Sequence, residues 1–411
     1  MAKTTHDIII IGGGSAGLTA AAGCAQLGMQ TALVEKAHMG GDCLYHGCVP
    51  SKSLLRTASV YAEARRFPDF GLPEISKLPA ANASEGLGRV RGVIESIAPH
   101  DSRERFEKLG VEVMLEKARF ISDEEIELES GRTLSARKFI VSTGSSPAVP
   151  PIPGLEDAGY ITNLDVFSLE RFPSSLVILG AGPIGVEMSQ AFSRLGTGVT
   201  LVDRASHVLP REDEDMASYV EQALRADGVS LELGAQIAGV QNTRGEKQVT
   251  IRRGDEEQKL RGEEILVALG RRGNSGGLSL ETAGVELNRS FIEVDARLRS
   301  SNPHILAAGD VNGNFLFTHV AGAEGSFLVR SLALHLPGKM DYSKVPWSTY
   351  SDPELASVGY NEQRAQQAGI DYRTVLTSFE EVDRARAEGY EKGRIKILLD
   401  KKERIIGSQI A

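Results

Sequence analysis

The sequence predicts an α/β fold in which one strand–turn–helix–strand repeat occurs twice and a smaller α+β segment follows. The first repeat opens with "DIIIIGGGSAG" and the second with "SLVILGAGPIG". Each has three glycines directly after an apolar strand, then a helix-favouring stretch and an acidic residue at the end of a second strand. Strands and helices that alternate in this way predict parallel sheets with helices packed on their faces.

The glycines of the first repeat have the spacing of a dinucleotide fingerprint. Gly12 permits the tight turn, Gly14 lets the backbone approach a pyrophosphate, and Gly17 lets the helix pack closely on the strand. The N-terminus of that helix offers unpaired N–H groups and a partial positive charge to phosphates. Glu35 closes the second strand, where it can accept hydrogen bonds from the ribose hydroxyls. The first repeat is therefore predicted to be a Rossmann-like dinucleotide-binding domain.

The second repeat carries the same pattern at Gly180, Gly182, Gly185 and Asp203. The interval from Gly180 to Asp203 equals the interval from Gly12 to Glu35. Two dinucleotide sites in one chain predict electron transfer between a flavin and a nicotinamide. Asp203 favours NAD(H), because an acid at this strand end repels a 2′-phosphate. Arg204 follows immediately and keeps NADP(H) possible.

The order of the segments predicts that the second domain is inserted in the first. The strands ending at Gly144 and Gly270 look like counterparts, and the stretch "STGSSPAVPPIPG" reads as a crossing between domains. We expect an FAD-binding domain over 1–147 and 271–343, an NAD(P)-binding domain over 148–270 and a C-terminal domain over 344–411. Because the sequence stops within the apolar strand "RIIGSQIA", we expect the C-terminal domain to be incomplete.

Composition argues against nucleic acid and membrane partners, and it favours a reducing compartment. The net charge of −9 argues against nucleic acid, which needs a basic surface. No apolar run approaches the ~20 residues of a membrane span. Three cysteines in 411 residues fit a reducing compartment, which predicts a cytoplasmic protein.

Two of those cysteines, Cys43 and Cys48, lie in "GGDCLYHGCVPSK" (40–52). His38 and His46 lie near enough to suggest a metal, but zinc sites use a second, distant ligand pair that this sequence lacks. We therefore expect no metal. A structural disulfide is disfavoured, because closing so short a loop gains little entropy. A reacting pair of thiols remains.

A reacting pair requires a break in the helix between the two cysteines. Residues five apart in an ideal helix are separated by roughly 7.5 Å along its axis, whereas a disulfide needs Cα atoms about 4.4–6.8 Å apart. Gly47 offers the break, and Pro50 is acceptable in the first turn of a helix that begins near Cys48. A cysteine at a helix N-terminus favours a thiolate. Lys52 lies one turn on and can stabilise negative charge on the sulfur or on a reduced flavin.

Two later residues complete the candidates. Asp310 ends the apolar strand of "HILAAGD" and can accept hydrogen bonds from a polyol. His319 lies near the start of a predicted helix, where it is treated as a lining residue only. Residues 85–110 are predicted to form one helix that ends at Gly110.

Taken together, the motifs resemble the class I pyridine nucleotide–disulfide oxidoreductases, the group of dihydrolipoyl dehydrogenase, glutathione reductase and mercuric reductase. The resemblance covers nearly the whole chain and rests on "GGGSAG", "GGDCLYHGCVPSK", "STGS", "GAGPIGVE", "VALGRRGN" and "ILAAGDV" in the family's order. It implies a truncated α+β dimerisation domain at the C-terminus and a homodimer of the full-length protein. The substrate would be a small-molecule or protein-bound disulfide or dithiol.

The resemblance also implies a role for each reacting residue. Cys48 would contact the flavin and form a charge-transfer thiolate, while Cys43 would attack the substrate disulfide. Glu187 would pair with Lys52 beside the flavin. Electrons would pass from the nicotinamide to FAD and then to the Cys43–Cys48 disulfide.

FAD would be held by Gly12, Gly14, Gly17, Glu35, Lys52 and Asp310, and the nicotinamide dinucleotide by Gly180, Gly182, Gly185 and Asp203. Further cofactor contacts are expected from other residues of the same motifs, namely Ser15, Ala16, Lys36, Gly41, Asp42, Ala118, Thr143, Gly144, Ser145, Pro183, Ile184, Gly270, Gly309, Leu316, Phe317, Thr318 and His319.

The chain departs from the family's pattern at three places. Pro183 stands where a tyrosine often lies, so an aromatic gate over the flavin is not expected from this position. Asp42, Tyr45 and His46 replace commoner residues around the cysteines and leave the substrate open. The family's catalytic His–Glu pair would lie beyond Ala411. Two alternatives therefore stay open: an NAD(P)H oxidase or diaphorase, and a redox-sensing flavoprotein without thiol turnover.

Overall fold

The computed structural model of the chain describes residues 4–75, 81–243 and 245–411. They form two compact units. Unit one comprises Met1–Pro50, Arg91–Ser146 and Arg271–Tyr342, and unit two comprises Ser51–Val90, Pro147–Gly270 and Ser343–Ala411. The predicted α/β class is confirmed, whereas the three domain ranges expected from the sequence stay a prediction.

The strands, in chain order, are β1 (His6–Ile11), β2 (Thr31–Val34), β3 (Val111–Met114), β4 (Ala118–Phe120), β5 (Glu125–Leu128), β6 (Thr133–Val141), β7 (Ser145–Pro147), β8 (Ser175–Leu179), β9 (Gly198–Val202), β10 (Ser230–Glu232), β11 (Gln236–Thr243), β12 (Glu246–Arg253), β13 (Glu256–Gly262), β14 (Glu264–Val267), β15 (Arg271–Gly273), β16 (Leu287–Asn288), β17 (Phe291–Ile292), β18 (Ile305–Ala307), β19 (Pro346–Thr349), β20 (Leu355–Gly359), β21 (Arg373–Ser378), β22 (Arg394–Leu399) and β23 (Ile405–Ile410).

The α-helices are α1 (Ser15–Gln26), α2 (Gly41–Tyr45), α3 (Cys48–Arg65), α4 (Ala83–Ile97), α5 (Arg103–Lys108), α6 (Leu155–Ala158), α7 (Pro183–Arg194), α8 (Glu214–Ala226), α9 (Thr318–Leu332), α10 (Glu362–Gln367) and α11 (Asp383–Glu388). Short 3₁₀ turns lie at Phe67–Phe70, Ala98–Asp101, Val166–Ser168, Asp310–Asn312 and Phe379–Glu381. None of the helices in the described ranges combines the length and apolarity that a bilayer crossing needs.

Unit one is built on a sheet with the strand order β3-β2-β1-β6, and β18 pairs with the far half of β6. These strands run parallel, while β5 and β4 extend the sheet antiparallel to the first half of β6. Successive residues of β1 enter different cores, because side chains alternate across a strand. Ile9 and Ile11 belong to one cluster and Ile8 and Ile10 to another. The run of isoleucines therefore marks a strand that is covered on both faces.

The described residues of unit two form three sheets. The strands β10, β9, β8 and β14 form a parallel sheet in that order, and β11, β12 and β13 form an antiparallel meander. The C-terminal segment forms an antiparallel sheet of five strands in the order β19-β20-β23-β22-β21. The last two strands predicted from "RIKILLD" and "RIIGSQIA" are β22 and β23.

The single helix predicted over 85–110 is wrong. The structure has α4, a 3₁₀ turn at Ala98–Asp101 and then α5. Pro99 lies in that turn, and a proline inside a helix removes a backbone donor and clashes with the preceding turn. Ser102 then caps α5 by accepting a hydrogen bond from the Arg105 backbone N–H at 3.3 Å. Gly110 follows α5 with φ +91°, as expected for a helix stop.

The glycine fingerprint packs the turn after β1 against α1. A Cβ at Gly17 would lie 1.9 Å from the Gly12 carbonyl oxygen and 2.6 Å from the Ser142 hydroxyl oxygen. Gly12 has φ +111°, and a Cβ there would lie 2.4 Å from the Ser142 carbonyl oxygen. A Cβ at Gly14, by contrast, would meet no atom within 4 Å. The fold therefore requires glycine at positions 12 and 17, whereas Gly14 has open space beside its Cα.

An ion cluster around a buried lysine joins two parts of unit two. The Lys396 ammonium on β22 lies 3.1 Å from Asp213, 2.6 Å from Asp215 and 3.1 Å from Glu362. The lysine side chain is only 3% exposed. Burial acts to lower the pKa of Lys396, but the hydrogen bonds and charges of the three carboxylates raise it. Their oxygens lie close enough together to hold a cation, and the cation between them is this ammonium.

We expect Lys396→Met to lower the free energy of unfolding by about 3–5 kcal/mol, because three carboxylates lose their buried counter-charge. Urea unfolding measures the change. Lys401→Met is the matched control, since both Lys401 and its partner Asp371 are largely exposed. Equal stability of Lys396→Met and the parent protein would contradict a stabilising role for the cluster.

Gly17→Ala is expected to destabilise the protein by about 1–3 kcal/mol, because the added methyl group clashes with backbone that cannot move away cheaply. Gly92→Ala serves as the control, since its methyl group enters open space on α4, outside the cofactor motifs. Thermal unfolding of the two variants measures the difference. Similar melting temperatures for both would show that the close approach of α1 to the turn is wrong.

Candidate active site

The candidate residues of unit one meet at one edge of its sheet. The strands β2, β1, β6 and β18 are parallel, so their carboxyl ends lie together. The loops that follow them contain Glu35, Gly12 to Gly17, Thr143 to Ser145, and Asp310. The chain passes from β1 to β2 on one side and reaches β6 on the other, which makes this edge the switch point where α/β sheets bind ligands.

The two fingerprints have the same local geometry in their separate units. Glu35 accepts hydrogen bonds from the backbone N–H groups of Gly13 at 2.7 Å and Ala37 at 2.8 Å. Asp203 accepts them from Ala181 at 2.6 Å and Ala205 at 2.8 Å. In both cases the acid at the end of the second strand fixes the glycine turn after the first.

Each unit also has open space beside the second glycine of its fingerprint. A Cβ at Gly14 or Gly182 would meet nothing within 4 Å, and each glycine immediately precedes a helix of 12 residues. Unpaired N–H groups of the first turn and open space beside them suit a pyrophosphate. Carboxylates at the neighbouring strand end suit ribose hydroxyls. The donor set of both units therefore fits a dinucleotide.

Asp310 belongs to a polar network at the edge of unit one. The Ser145 hydroxyl donates to Asp310 at 2.6 Å, and the Arg271 Nε lies 2.6 Å from the same hydroxyl. A second guanidinium nitrogen of Arg271 pairs with Asp42 at 3.0 Å. Burial raises the pKa of Asp310, while the Ser145 hydrogen bond and the Arg271 charge act in the opposite direction. Asp42, one departure from the family's pattern, is thus held by Arg271.

Glu324 on α9 was missed by sequence reasoning. Its side chain is buried and accepts hydrogen bonds from the Gly309 backbone N–H at 2.6 Å, the Asn312 amide at 2.9 Å and the Tyr342 hydroxyl at 2.5 Å. Burial raises the pKa of Glu324, against the effect of these three hydrogen bonds. The carboxylate fixes the backbone directly before Asp310. An acid within the otherwise apolar stretch "VAGAEGSFLV" was the available signal.

The break predicted between the two cysteines is present. Helix α2 ends at Tyr45, His46 and Gly47 interrupt it, and α3 begins at Cys48. Neither cysteine is in a disulfide in this structure, and the Cys43 thiol forms a hydrogen bond with Cys48. This bond, then burial and the charge of Cys48, raise the pKa of Cys43 far above its usual range. These effects favour the protonated form of Cys43.

Cys48 has further support at its helix end. It is the first residue of a helix of 18 residues, where a thiolate is favoured. The Thr318 hydroxyl, at the start of α9, lies 3.2 Å from its sulfur. The third cysteine, Cys24, is buried in α1, and burial raises its pKa to about 11, so it behaves as an inert thiol.

In unit two, Lys52 and Glu187 form the pair that the resemblance implied. The Lys52 ammonium donates to both oxygens of Glu187, at 2.9 and 3.1 Å. Glu187 is 5% exposed, and it also accepts a hydrogen bond from the Tyr350 backbone N–H at 3.0 Å. Pro183 occupies the first position of α7 and brings no aromatic ring. An aromatic ring does contact the pair, but it belongs to Tyr350, which sequence reasoning missed.

The remaining candidates are distributed as follows. Ser15 and Ala16 open α1, and Gly41 contacts the Gly14 backbone, since a Cβ there would lie 2.8 Å from its Cα. Lys36 and His319 are exposed, and the His319 ring stacks on Phe317 with centroids 5.5 Å apart. Ala118 begins β4 with its side chain in the core, which leaves only its backbone for a cofactor. Leu316 and Phe317 precede α9, Ile184 lies in the first turn of α7, and Gly270 precedes β15.

Known proteins resemble this arrangement over nearly the whole chain. Residues 6–325 match the family model of the pyridine nucleotide-disulphide oxidoreductases, and residues 345–411 match the dimerisation domain of the same family. Mercuric reductase from Staphylococcus aureus is 31% identical over 407 residues, which are 98% of this chain and 74% of that protein. Dihydrolipoyl dehydrogenase from Chlorobaculum parvum is 34% identical over 410 residues, covering 96% of this chain and 84% of that protein.

Among solved structures, the HOCl-induced flavoprotein disulfide reductase RclA from Escherichia coli is similar with a TM-score of 0.85 and 29% sequence identity. The match covers 98% of this chain and 89% of RclA. Family models, relatives and fold thus agree with the dinucleotide fingerprints and the thiol pair. The chain belongs to the pyridine nucleotide-disulphide oxidoreductases, a family of FAD-dependent enzymes linked to NAD(P)H.

Proposed function

We propose that the chain reduces a disulfide substrate with electrons from NADH by cycling Cys43 and Cys48 between disulfide and dithiol. The hydrogen-bonded thiol pair carries this proposal, because the bond favours a protonated Cys43 while Cys48 lies at a helix N-terminus, which favours a thiolate. FAD, when bound, supplies two-electron chemistry between a hydride donor and a dithiol. Residues of unit one would hold it, above all Gly14, Glu35 and Asp310.

The thiol steps balance as follows. Reduction breaks the Cys43–Cys48 bond with two electrons, and one proton stays on Cys43. After Cys43 gives up that proton, its sulfur attacks the substrate disulfide and releases one substrate thiolate, which takes up a proton. The Cys48 sulfur then attacks Cys43, re-forms the disulfide and releases the second substrate thiolate, which takes up a proton from solution. Overall, NADH, one proton and a disulfide give NAD⁺ and two thiols.

The raised pKa of Cys43 has a consequence for this cycle. A protonated thiol is a poor nucleophile, so attack on the substrate requires a base that removes the Cys43 proton. Cys48, at the helix N-terminus, would be the sulfur that interacts with the electron acceptor. This difference supports the roles that the resemblance implies, interchange thiol for Cys43 and charge-transfer thiolate for Cys48.

Residues of unit two would bind the nicotinamide dinucleotide. The open approach at Gly182 and the helix that begins at Pro183 suit its pyrophosphate. Asp203 would accept hydrogen bonds from the adenosine ribose, which favours NADH over NADPH. The Lys52–Glu187 pair would serve the flavin, as the resemblance implies, by placing a positive charge where electron density increases on reduction.

The proposal also covers the oligomeric state, the substrate class and the cellular compartment. The segment matched as a dimerisation domain supports a homodimer. The substrate class is a small-molecule or protein-bound disulfide. Three cysteines in 411 residues suit a reducing compartment, and we place the protein in the cytoplasm.

Reduction of the FAD-loaded protein by two electrons is expected to produce a long-wavelength charge-transfer absorbance, since a thiolate then lies beside oxidised FAD. Cys48→Ser should abolish this absorbance. Cys43→Ser cannot form the disulfide, so it should show the absorbance before any reduction, lose it when two electrons reduce the FAD, and no longer reduce disulfides. Anaerobic titration with a visible spectrum measures both. A charge-transfer band that remains in Cys48→Ser would contradict the assignment of Cys48 as the charge-transfer thiolate. Unchanged NADH turnover in Cys43→Ser, with quinone or oxygen as acceptor and no disulfide reduction in the parent, would favour the oxidase or diaphorase alternative.

We expect kcat/KM for NADH to exceed that for NADPH by at least roughly tenfold, because Asp203 would repel the 2′-phosphate. Asp203→Asn should narrow the ratio by raising the value for NADPH. Steady-state kinetics with both nucleotides measures it. Arg204→Ala is the control. If the parent protein prefers NADPH and Arg204→Ala lowers kcat/KM for NADPH alone, the assignment of NADH as the preferred nucleotide is wrong.

A further inference from the structure

We propose that Tyr350 is a positioning residue for Lys52, and that its ring holds the lysine ammonium against Glu187. The inference rests on the proposed role of the Lys52–Glu187 pair at the flavin. It concerns a residue outside the fingerprints and the cysteine motif, on the segment between β19 and β20.

The geometry around the ammonium carries the inference. The Lys52 Nζ lies 4.3 Å from the centroid of the Tyr350 ring, within the range of a cation–π contact. The same nitrogen donates to both Glu187 oxygens, and one of these accepts the Tyr350 backbone N–H. Tyr350 therefore contacts both members of the ion pair, one through its ring and the other through its backbone.

The segment that carries the ring is fixed to one face of α7. Gln190 accepts the Asp352 backbone N–H at 2.7 Å and donates to the Asp352 carbonyl oxygen at 2.9 Å. Arg194 pairs with the Asp352 carboxylate at 2.9 Å. Glu187, Gln190 and Arg194 share a face of the helix, because residues three and four apart are neighbours there. The ring is thus held by the helix that also supplies the carboxylate.

A lysine needs such a constraint if its charge is to act at one point. Its ammonium sits on a flexible four-carbon stem and rotates freely. Two carboxylate oxygens restrain it from one side, and the aromatic face restrains it from another. Tyr350 is 45% exposed, so a ring at this place is not explained by burial in the core. Losing the ring would let the ammonium move and weaken its effect on a developing negative charge nearby.

The first test reads the position of Lys52 without any redox chemistry. The FAD-loaded protein is reductively dimethylated with ¹³C-formaldehyde, which keeps the lysine charge, and Lys52→Arg assigns the Lys52 methyl resonance. An upfield ring-current shift is expected in the parent protein, retained in Tyr350→Phe and lost in Tyr350→Leu. A Lys52 resonance that is identical in the parent and Tyr350→Leu would overturn the inference, even if the proposed function were correct.

The second test reads the consequence at the flavin. Tyr350→Leu is expected to lower the flavin midpoint potential and to slow flavin reduction by NADH about three- to tenfold, the size of a cation–π contact. Tyr350→Phe should restore both. Tyr350→Leu should add nothing in a Lys52→Met background, because the ring acts only through the ammonium.

Two controls separate this result from general damage. Tyr390→Leu removes another half-exposed ring that faces an arginine, Arg66, and should leave potential and rate unchanged. Additive effects of Tyr350→Leu and Lys52→Met would contradict positioning and indicate a merely structural ring. Failure of the parent protein to accept electrons from NADH would refute the proposed function, while the methyl resonance would still decide the placement of Lys52.

Discussion

The hydrogen bond between the Cys43 thiol and the Cys48 sulfur is the interaction on which the proposed chemistry depends. It exists because the chain leaves the helical path at His46 and Gly47 and starts a new helix at Cys48. One sulfur thereby gains a helix N-terminus and the Thr318 hydroxyl, while the other keeps the proton. A continuous helix would hold the same two residues too far apart to react.

The geometry of the two glycine turns follows from local sequence, which is why it could be predicted. Each glycine turn needs only its own strand, its own helix and the acid at the next strand end. Gly17 and Gly185 meet the same constraint, since a Cβ at either would lie within 2 Å of the carbonyl oxygen of the first glycine. The break at Gly47 was predictable for a similar reason, because it follows from spacing along one segment.

Contacts between distant segments could not be predicted in this way. Glu324 reaches back to Gly309, Arg271 reaches Asp42, and Tyr350 reaches Lys52, and no periodicity links their positions in the chain. The prediction of one helix over 85–110 was wrong for a different reason. It followed the helical pattern of the segment and gave too little weight to the proline within it. Asp42 is now accounted for by its ion pair. The Tyr45 ring lies 5.7 Å from that of His38. The structure gives no reason for the departures from the family's pattern at Tyr45 and His46.

The number of electrons that the FAD-loaded protein accepts tests the central claim most directly. An anaerobic titration with dithionite, followed by the visible spectrum and by a count of free thiols, gives this number. If FAD and the Cys43–Cys48 disulfide act in series, the oxidised protein takes up about four electrons per flavin and gains about two thiols. Complete reduction of the flavin after about two electrons, with no new thiols, would contradict the account.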